Sequence, residues 1–268
     1  MTQRPRPLVM GIVNVTPDSF SDGGQHFDAA RAIAHGRGLI DAGADWLDIG
    51  GESTRPGAEP VSEADELARI IPVIEGLAGT GFPLSIDTMK PGVARAAVQA
   101  GASLWNDVNA LQADDALETA AKLGCKVCLM HMQGAPQTMQ ADPVYGDVVA
   151  EVEAFLLARV EAAVQAGVSR ENIWLDPGIG FGKTLAHNLA LMAALPRLAG
   201  HGFPLLFGAS RKRFIAALDG DAPADQRLGG SLAAALHAAQ AGAAMVRVHD
   251  VRETVQALKI HAAIASAL

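Results

Sequence analysis

Short apolar runs in this sequence repeatedly end in polar or charged residues that suit a binding site better than a core. Seven of eight such runs end in this way. A single residue of this kind is more often a turn former or a helix cap than a binding group. Seven in one chain are difficult to assign to capping alone, and carboxylates, amides and cations together can bind a polar small molecule. They are Asn14, Asp48, Asp87, Asn106 with Asp107, Asp176, Ser210 with Lys212, and Arg247 with His249.

The elements that must position these groups alternate between short apolar runs and longer alanine-rich runs. The predicted strands are Leu8–Val13, Trp46–Ile49, Leu84–Ile86, Ser103–Asn106, Val127–Met130, Ile173–Leu175, Pro204–Phe207 and Met245–Val248. The predicted helices are Ala29–Ala42, Glu63–Leu77, Pro91–Ala100, Ala113–Leu123, Val148–Ala166, Asn188–Leu198, Leu228–Ala241 and Arg252–Ala267. Most are followed by a glycine suited to a left-handed cap, at Gly43, Gly101, Gly124, Gly167 and Gly242.

Eight strands alternating with eight helices predict an α/β fold, a single (β/α)8 TIM barrel over residues 1–268 as one domain. The competing fold is a doubly wound open sheet, which carries one glycine-rich phosphate loop after its first strand. Here unusual polar sequence follows nearly every strand, which favours the barrel. Long loops are predicted after the first, second, fifth and seventh strands, at 14–28, 50–61, 131–146 and 208–227, and are expected to carry function.

Composition narrows the functional class. The chain has 268 residues, a formal net charge of −8 and a 50% hydrophobic content, so it can bury a large core and is not disordered. The acidic balance argues against a nucleic-acid partner. No apolar signal segment precedes the first predicted strand, which predicts a cytoplasmic protein. The charge-free stretch Leu228–Val246 could span a membrane by length, but its alanine, glycine and histidine content favours a buried or interface helix.

Two motifs look specific but are not expected to carry function. Cys125 and Cys128 have C-x-x-C spacing, yet no second cysteine pair completes a zinc site. The motif enters a strand, where residues three apart face opposite sides, so we expect buried spectator thiols. Gly182-Lys183-Thr184 is similar to the end of a phosphate-binding loop, but Pro177 stands where that loop needs a glycine.

At the level of motifs the sequence resembles the dihydropteroate synthase family. The matching segments are GIVNVTPDSFSDGG at 11–24, DIGGESTRPG at 48–57, SIDT at 85–88, ND at 106–107, MHMQG at 130–134, DPGIGFGK at 176–183, SRK at 210–212 and RVHD at 247–250. They cover nearly the whole chain. The resemblance implies the same barrel and a transferase that forms a C–N bond. Its reaction joins 6-hydroxymethyl-7,8-dihydropterin pyrophosphate to 4-aminobenzoate, giving 7,8-dihydropteroate and pyrophosphate in folate biosynthesis.

The resemblance implies a first subsite that binds the pterin through Asp87, Asn106, Asp176 and Lys212. The pterin edge alternates donors and acceptors, which carboxylates, an amide and a cation can match. Asp176 is expected to accept from the pterin amino and ring N–H groups, and Lys212 to lie over the carbonyl and a ring nitrogen. Asp87, as a carboxylate, is expected near the reacting side of the ring. A salt bridge or a helix cap is the alternative role for each aspartate.

The implied second subsite holds the pyrophosphate, usually with Mg²⁺. Arg247 and His249 leave the last strand together and can reach one anion. Asn14 can bind the pyrophosphate or the metal, and Arg55 can fold over the pyrophosphate unless it is a solvated surface residue. Mg²⁺ commonly keeps most of its waters, so a dense carboxylate cluster is not required. Asp87 and Lys212, together with Arg247 and His249, are the implied catalytic residues.

The implied third subsite is an apolar slot for 4-aminobenzoate. Its candidate walls are Phe20, Thr54, Pro56 and Phe181, although both phenylalanines could be ordinary core. The backbone N–H of Ser210, expected at a helix start, suits the carboxylate. The uninterrupted sequence 180–183 implies inhibition by sulfonamides, and the resemblance implies a homodimer formed through late helices such as Leu228–Ala241.

Two other functions remain open. A methyltetrahydrofolate:corrinoid methyltransferase shares the pterin-facing aspartates and asparagine but does not need the SRK and RVH segments together. A non-catalytic pterin or anion binder would be favoured by loss of Asp87, Lys212 or the Arg247–His249 pair, and all are present. An SN1-like path is implied for the synthase reaction, and the sequence does not distinguish it from a loose direct displacement.

Overall fold

Eight parallel strands form the centre of the protein, in a computed structural model that describes residues 6–16, 25–54 and 57–267. The strands are β1 Leu8–Asn14, β2 Trp46–Gly50, β3 Leu84–Asp87, β4 Leu104–Asp107, β5 Lys126–Met130, β6 Ile173–Asp176, β7 Leu206–Phe207 and β8 Met245–Val248. Neighbours follow the order β6-β5-β4-β3-β2-β1-β8-β7, and a bridge between Leu175 and Leu205 joins the two ends. The predicted TIM barrel is confirmed.

The helices lie between the strands along the chain and cover the barrel. They are α1 Gln25–Asp41, α2 Glu63–Ala78, α3 Pro91–Ala100, α4 Ala116–Leu123, α5 Val148–Gln165, α6 Leu185–Ala193, α7 Leu195–Ala199, α8 Arg213–Leu218, α9 Leu228–Gln240 and α10 Val251–Ser266. All five glycines that were predicted to end helices have a positive φ, between 62° and 125°. Left-handed backbone at those positions therefore ends the helices as the sequence indicates.

The helices differ from the sequence prediction in several places, and α1 begins at Gln25 instead of Ala29. The helix expected over Asn188–Leu198 begins earlier, at Leu185, and is split at Ala194, so that Pro196 lies in the first turn of α7, where its missing N–H is tolerated. The helix expected from Ala113 begins at Ala116, because Asp115 has a left-handed φ of 59°. The loop over 208–227 contains α8, which is only six residues long and too short for a periodic signal.

The barrel interior is built in layers because alternate strand residues face inward. Its lower layer is an apolar cluster formed by Met10, Trp46, Leu104, Cys128, Trp174, Leu206 and Met245. Two residues further along four of these strands stand polar groups, Asp48, Asn106, Asp176 and Arg247. Because residues two apart in a strand face the same side, these four side chains also face the barrel interior. They form the next layer, toward the carboxyl ends of the strands.

Candidate active site at the barrel mouth

Arg247 lies at the centre of the polar layer, between two carboxylates. Its Nε donates to Asp48 Oδ2 at 2.5 Å and its Nη2 donates to Asp87 Oδ2 at 2.7 Å. Asn106 Nδ2 also donates to Asp48 Oδ2, at 3.1 Å. Burial lowers the pKa of Arg247, but the two carboxylates outweigh it, so the pKa lies above its usual value and the group stays charged. One guanidinium thereby joins β2, β3 and β8, and Asp48 links β4 to them.

The sequence indicated that Asp87 is ionised throughout, and the structure shows a different electrostatic environment. Burial raises its pKa to about 7, although the charge of Arg247 opposes the shift. Nearby acidic groups, of which Asp48 has the largest effect, raise the pKa further. Asp87 therefore changes its charge near neutral pH.

Asp176 and Lys212 meet on the other side of the mouth. Asp176 Oδ1 accepts from the backbone N–H of Gly178 at 2.6 Å, and Lys212 Nζ donates to the carbonyl of Ile179. The Lys212 ammonium also lies 4.6 Å from the ring centroid of Phe181. Burial lowers the pKa of Lys212 to about 8, with Asp176 opposing the shift. The predicted pterin-facing acid and base thus lie close enough to interact electrostatically.

Ser210 and His249 form a hydrogen-bonded pair at the ends of β7 and β8. The Ser210 hydroxyl lies 3.0 Å from His249 Nδ1 and accepts from the His249 backbone N–H at 3.2 Å. The expectation that Ser210 begins a helix is wrong, because α8 begins at Arg213 and its N-cap is Lys212. Ser210 therefore orients His249 through its hydroxyl instead of presenting a helix N-terminus.

Three further predicted residues lie around this mouth and three fall outside the described residues. Asn14 ends β1, where it pairs with Gly50, and its side chain is half-buried. Thr54 follows β2 and Phe181 follows β6, and both are also half-buried. Phe20, Arg55 and Pro56 lie outside the described residues.

Sequence reasoning did not assign a role to two residues that the structure places in this region. Asp48 is completely buried and connects Arg247 to Asn106, and its Oδ1 has no hydrogen-bond partner in the part of the chain that the structure describes. A carboxylate in the middle of an apolar strand was the available signal. Lys183 is 3% exposed and lies 2.9 Å from His131 Nδ1. In the sequence, Lys183 belongs to the Gly182-Lys183-Thr184 segment, which was not expected to carry function.

Asp107 belongs to the fold and not to the mouth. Its carboxylate accepts from the backbone N–H groups of Asn109 and Leu111 at 2.8 and 2.7 Å. It therefore holds the turn after β4, which is the capping role that aspartates at strand ends commonly have.

Cys125 and Cys128 are free thiols that face different sides of the barrel wall. Cys128 lies inside the barrel and Cys125 packs against the outer core, as a strand spacing of three predicts. Burial raises the pKa of both thiols, and nearby carboxylates raise that of Cys128 further. Leu228–Val246 contains α9 and the start of β8, and no helix in the described ranges is long and apolar enough to cross a membrane.

The fold and site together define a parallel barrel whose mouth offers carboxylates, an amide and cations to one ligand. The family model described as "Pterin binding enzyme" matches residues 10–249. Dihydropteroate synthase from Escherichia coli K12 is 50% identical over 262 residues, covering 97% of this chain and 93% of that relative. The chain therefore belongs to the pterin-binding enzymes and, among them, to the dihydropteroate synthase family.

Two solved structures agree with this assignment. Xanthomonas albilineans dihydropteroate synthase with 4-aminobenzoic acid has a TM-score of 0.92 and 54% identity, covering 97% of this chain and 94% of that chain. Yersinia pestis dihydropteroate synthase in a sulfonamide complex has a TM-score of 0.92 and 50% identity, covering 97% and 95%. Both similarities extend over nearly the full length of each chain.

Proposed function

We propose that this barrel joins 6-hydroxymethyl-7,8-dihydropterin pyrophosphate to 4-aminobenzoate, forming 7,8-dihydropteroate and releasing pyrophosphate. One observation carries the proposal. The residues complementary to a pterin edge converge on one mouth, in a chain whose 50% identical relative is a dihydropteroate synthase. The relatives described above are synthases, which favours this activity over a corrinoid methyltransferase or a non-catalytic binder.

The pterin binds among Asp87, Asn106, Asp176 and Lys212. Asn106 donates to Asp48 through its Nδ2 at 3.1 Å, which leaves its Oδ1 to accept from the ring. Asp176 has one oxygen engaged by Gly178, so the other can accept from the pterin amino group. Lys212 exchanges its bond to the Ile179 carbonyl for an acceptor on the ring. The hydrogen bonds already present therefore pre-orient this subsite.

The pyrophosphate binds at the adjacent end of β8. Arg247 and His249 supply the cationic and hydrogen-bonding groups, with Arg55 as a further proposed contact. The half-buried Asn14 side chain has no hydrogen bond to any residue that the structure describes, and an amide oxygen is a ligand that Mg²⁺ accepts. Asn14 would be the protein ligand, and Mg²⁺ would keep water and substrate oxygens as its other ligands, as it commonly does. When bound, Mg²⁺ neutralises charge on the leaving group.

The 4-aminobenzoate slot lies between the pterin subsite and the loops after β1, β2 and β6. Thr54 and Phe181 line it, with Phe20 and Pro56 proposed as further walls. Ser210 and Lys212 provide donors for the carboxylate. Sulfonamides imitate the shape and polarity of 4-aminobenzoate, and a sulfonamide complex of the Yersinia pestis relative supports the same inhibitor class here.

The chemistry follows from these positions. The bond between the methylene carbon and the pyrophosphate oxygen breaks, and Arg247 and His249 stabilise the departing negative charge. The electron-rich ring spreads the positive charge of the methylene carbon, and the Asp87 carboxylate stabilises it. The amine of 4-aminobenzoate attacks that carbon and loses a proton as the C–N bond forms. An SN1-like order of events is proposed, and a loose displacement uses the same groups.

The same proposal extends to the whole protein, which we take as one domain over residues 1–268 acting as a homodimer in the cytoplasm. An apolar groove of about 430 Å³ lies between α6, α8 and α9. Leu189 and Leu218 line this groove and are 40% and 61% exposed. A second copy covering it would bury both, and a cytoplasmic location fits the biosynthetic role.

The activity is tested by incubating the protein with the pterin pyrophosphate, 4-aminobenzoate and Mg²⁺ and separating dihydropteroate by chromatography. Product is expected from the wild type and from Lys122→Ala, whose side chain is on an exposed helix surface away from the mouth. Asp176→Asn is expected to lose most of the product, and a sulfonamide should compete with 4-aminobenzoate. Absence of product from the folded wild type overturns the proposal.

A further inference from the structure

Lys183 is a buried cation that the proposed reaction does not use. Its side chain is 3% exposed, in the loop between β6 and α6. Its Nζ lies 2.9 Å from His131 Nδ1 and donates to the carbonyls of Phe181 at 2.9 Å and His131 at 3.2 Å. An ammonium has three donors and no acceptor, so these three contacts use its full capacity.

The partner histidine is fixed by this contact. While Lys183 is protonated it only donates, so His131 Nδ1 accepts and the ring is neutral with its proton on Nε2. Burial lowers the pKa of His131 to about 3, and the charge of Lys183 lowers it further. His131 therefore acts as a constant acceptor over the physiological range, and the charge of the pair belongs to Lys183.

The loop that Lys183 holds in place follows Asp176 directly, at the end of β6. A Cβ added at Gly178 would lie 1.9 Å from the His131 carbonyl oxygen, and one at Gly182 would lie 2.4 Å from that of Gln133. The loop after β6 therefore packs backbone to backbone against the loop after β5. Both glycines also have a positive φ, which glycine adopts without strain. The Lys183 ammonium lies at this junction, 3.3 Å from the Cβ position of Gly178, and interacts electrostatically with Asp176.

Asp176 is thus placed between two lysines with different access to ligand. Burial raises the pKa of Asp176, while Lys212, Lys183 and Arg247 oppose the shift, in that order. Lys212 faces the mouth and must share its charge with a bound pterin. Lys183 is sealed from the mouth and keeps its partners when the pterin enters. We propose that Lys183 is a positioning residue of the pterin subsite, whose buried charge keeps Asp176 ionised while its hydrogen bonds hold the Phe181 backbone against His131.

The charged and titratable groups around this pair come from several elements. Asp176 interacts with Lys212 after β7, Arg247 on β8, Lys183 in its own loop and Cys128 on β5. Lys183 interacts with Asp176, Lys212 and His131. Burial lowers the pKa of Lys183 to about 7, with Asp176 opposing the shift. The effect of Lys183 on Asp176 is therefore strongest in mildly acidic solution and fades as the lysine loses its proton.

The test measures calorimetric binding of 6-hydroxymethylpterin, which lacks the pyrophosphate, at about pH 6 and about pH 8.5. Lys183→Met removes the charge and the donors, and Lys183→Gln removes the charge but keeps an N–H donor. The matched control is Tyr145→Phe, which deletes a 2.8 Å hydrogen bond to the Gly182 carbonyl in the same loop without a charge change. Circular dichroism verifies folding of each variant.

Lys183→Gln, which keeps a donor, is expected to bind the pterin about tenfold more weakly than wild type at the lower pH and within about twofold of it at the higher pH. Lys183→Met is expected to show the same pH-dependent loss, together with a smaller loss at both pH values because its donors are gone. Tyr145→Phe is expected to lose the same factor at both. An equal loss at both pH values for the Lys183 variants, as for the control, overturns the inference and leaves a purely structural lysine. The inference depends on the proposed function, and the experiment distinguishes their failures. A wild type that binds no pterin contradicts the proposed function, whereas losses that do not depend on pH contradict only the inference.

Discussion

Arg247 is held by two carboxylates before any substrate arrives, and this determines what the mouth can do. The guanidinium uses Nε for Asp48 and Nη2 for Asp87, so only part of its donor set remains for an anion. A pyrophosphate near Arg247 also competes with Asp87 for positive charge. The charge state of Asp87 is therefore sensitive both to pH and to what is bound.

The pH dependence of the reaction is expected to reflect Asp87 and Lys212. Asp87 has a pKa of about 7, so below that pH it is neutral and no longer stabilises a cation. Lys212 has a pKa of about 8, so above that pH it loses its charge. We predict that kcat/KM for the pterin pyrophosphate rises with pH through about 7 and falls above about 8. In Asp87→Asn the activity should fall and the acid limb should disappear.

The substrate ionises in the same way in assays of the wild type and of Asp87→Asn. A difference between the acid limbs of their pH profiles therefore comes from Asp87. If the variant retains an acid limb with the same midpoint, the limb belongs to the substrate or to another group, and Asp87 has a different role.

Lys212 is expected to contribute several kcal/mol of transition-state stabilisation. It is a charged donor in a desolvated site beside Asp176, and its loss leaves the pterin carbonyl without that partner. We predict that Lys212→Ala lowers kcat/KM by about a hundredfold to a thousandfold in steady-state assays. The matched control is Arg213→Ala, one residue along, where the side chain is exposed. Near-normal turnover of Lys212→Ala, or an equal loss in both variants, would remove Lys212 from the site.

Among the elements, the loop after β2 is fixed at its base by a buried ion cluster. Lys90 at the start of α3 lies 2.5 Å from Glu52 and 2.6 Å from Glu66, and Glu66 is completely buried. Glu52 also accepts from the Val61 N–H at 3.1 Å, which joins the two ends of the loop. The loop that carries Thr54 therefore has a defined base in the described residues.

Lys90→Met is expected to destabilise the protein by about 2–4 kcal/mol, because Glu66 is left buried without its cation. The figure is below that for a fully buried pair because the Lys90 side chain is 24% exposed. Urea unfolding measures the change. Lys122→Met breaks an exposed pair with Glu118 and should leave stability unchanged. A stability for Lys90→Met equal to that of the wild type contradicts the proposed role of the cluster.

The strands and most helices could be predicted from sequence because their signals are local and periodic. Apolar runs and cap glycines determined all eight strands and the ends of most helices. The split at Ala194 and the short α8 were not predicted, because a one-residue break and a six-residue helix carry little periodic signal. The period of two also explains why Asp48 and Arg247 meet, but only the closed barrel brings β2 beside β8 through β1.

In the molecule as a whole, the proposed pyrophosphate and 4-aminobenzoate subsites share residues from the same two segments of the sequence, after β1 and after β2. Asn14 and Arg55 are assigned to the anion, and Phe20, Thr54 and Pro56, on the same two loops, are assigned to the aminobenzoate. We propose that an anion bound through Asn14 and Arg55 also completes the 4-aminobenzoate site. The two subsites are therefore expected to fill in sequence.

We predict ordered addition, with the pterin pyrophosphate first and 4-aminobenzoate second. Calorimetric titration of 4-aminobenzoate should show weak or no binding to the free enzyme. Clear binding should follow once Mg²⁺, pyrophosphate and a pterin are present. Equal affinity in both conditions would mean that the slot is already formed, and loop ordering would have no part in the reaction.

The central claim, that the barrel mouth forms a C–N bond at the expense of a pyrophosphate ester, is tested most directly by stoichiometry. Pyrophosphate and dihydropteroate are quantified in one reaction over time, with and without 4-aminobenzoate. We predict equal amounts of the two products when both substrates are present, and little release of pyrophosphate when 4-aminobenzoate is omitted. Release of pyrophosphate at an undiminished rate without 4-aminobenzoate, with no dihydropteroate formed, would contradict the claim and identify the protein as a hydrolase of the pterin ester.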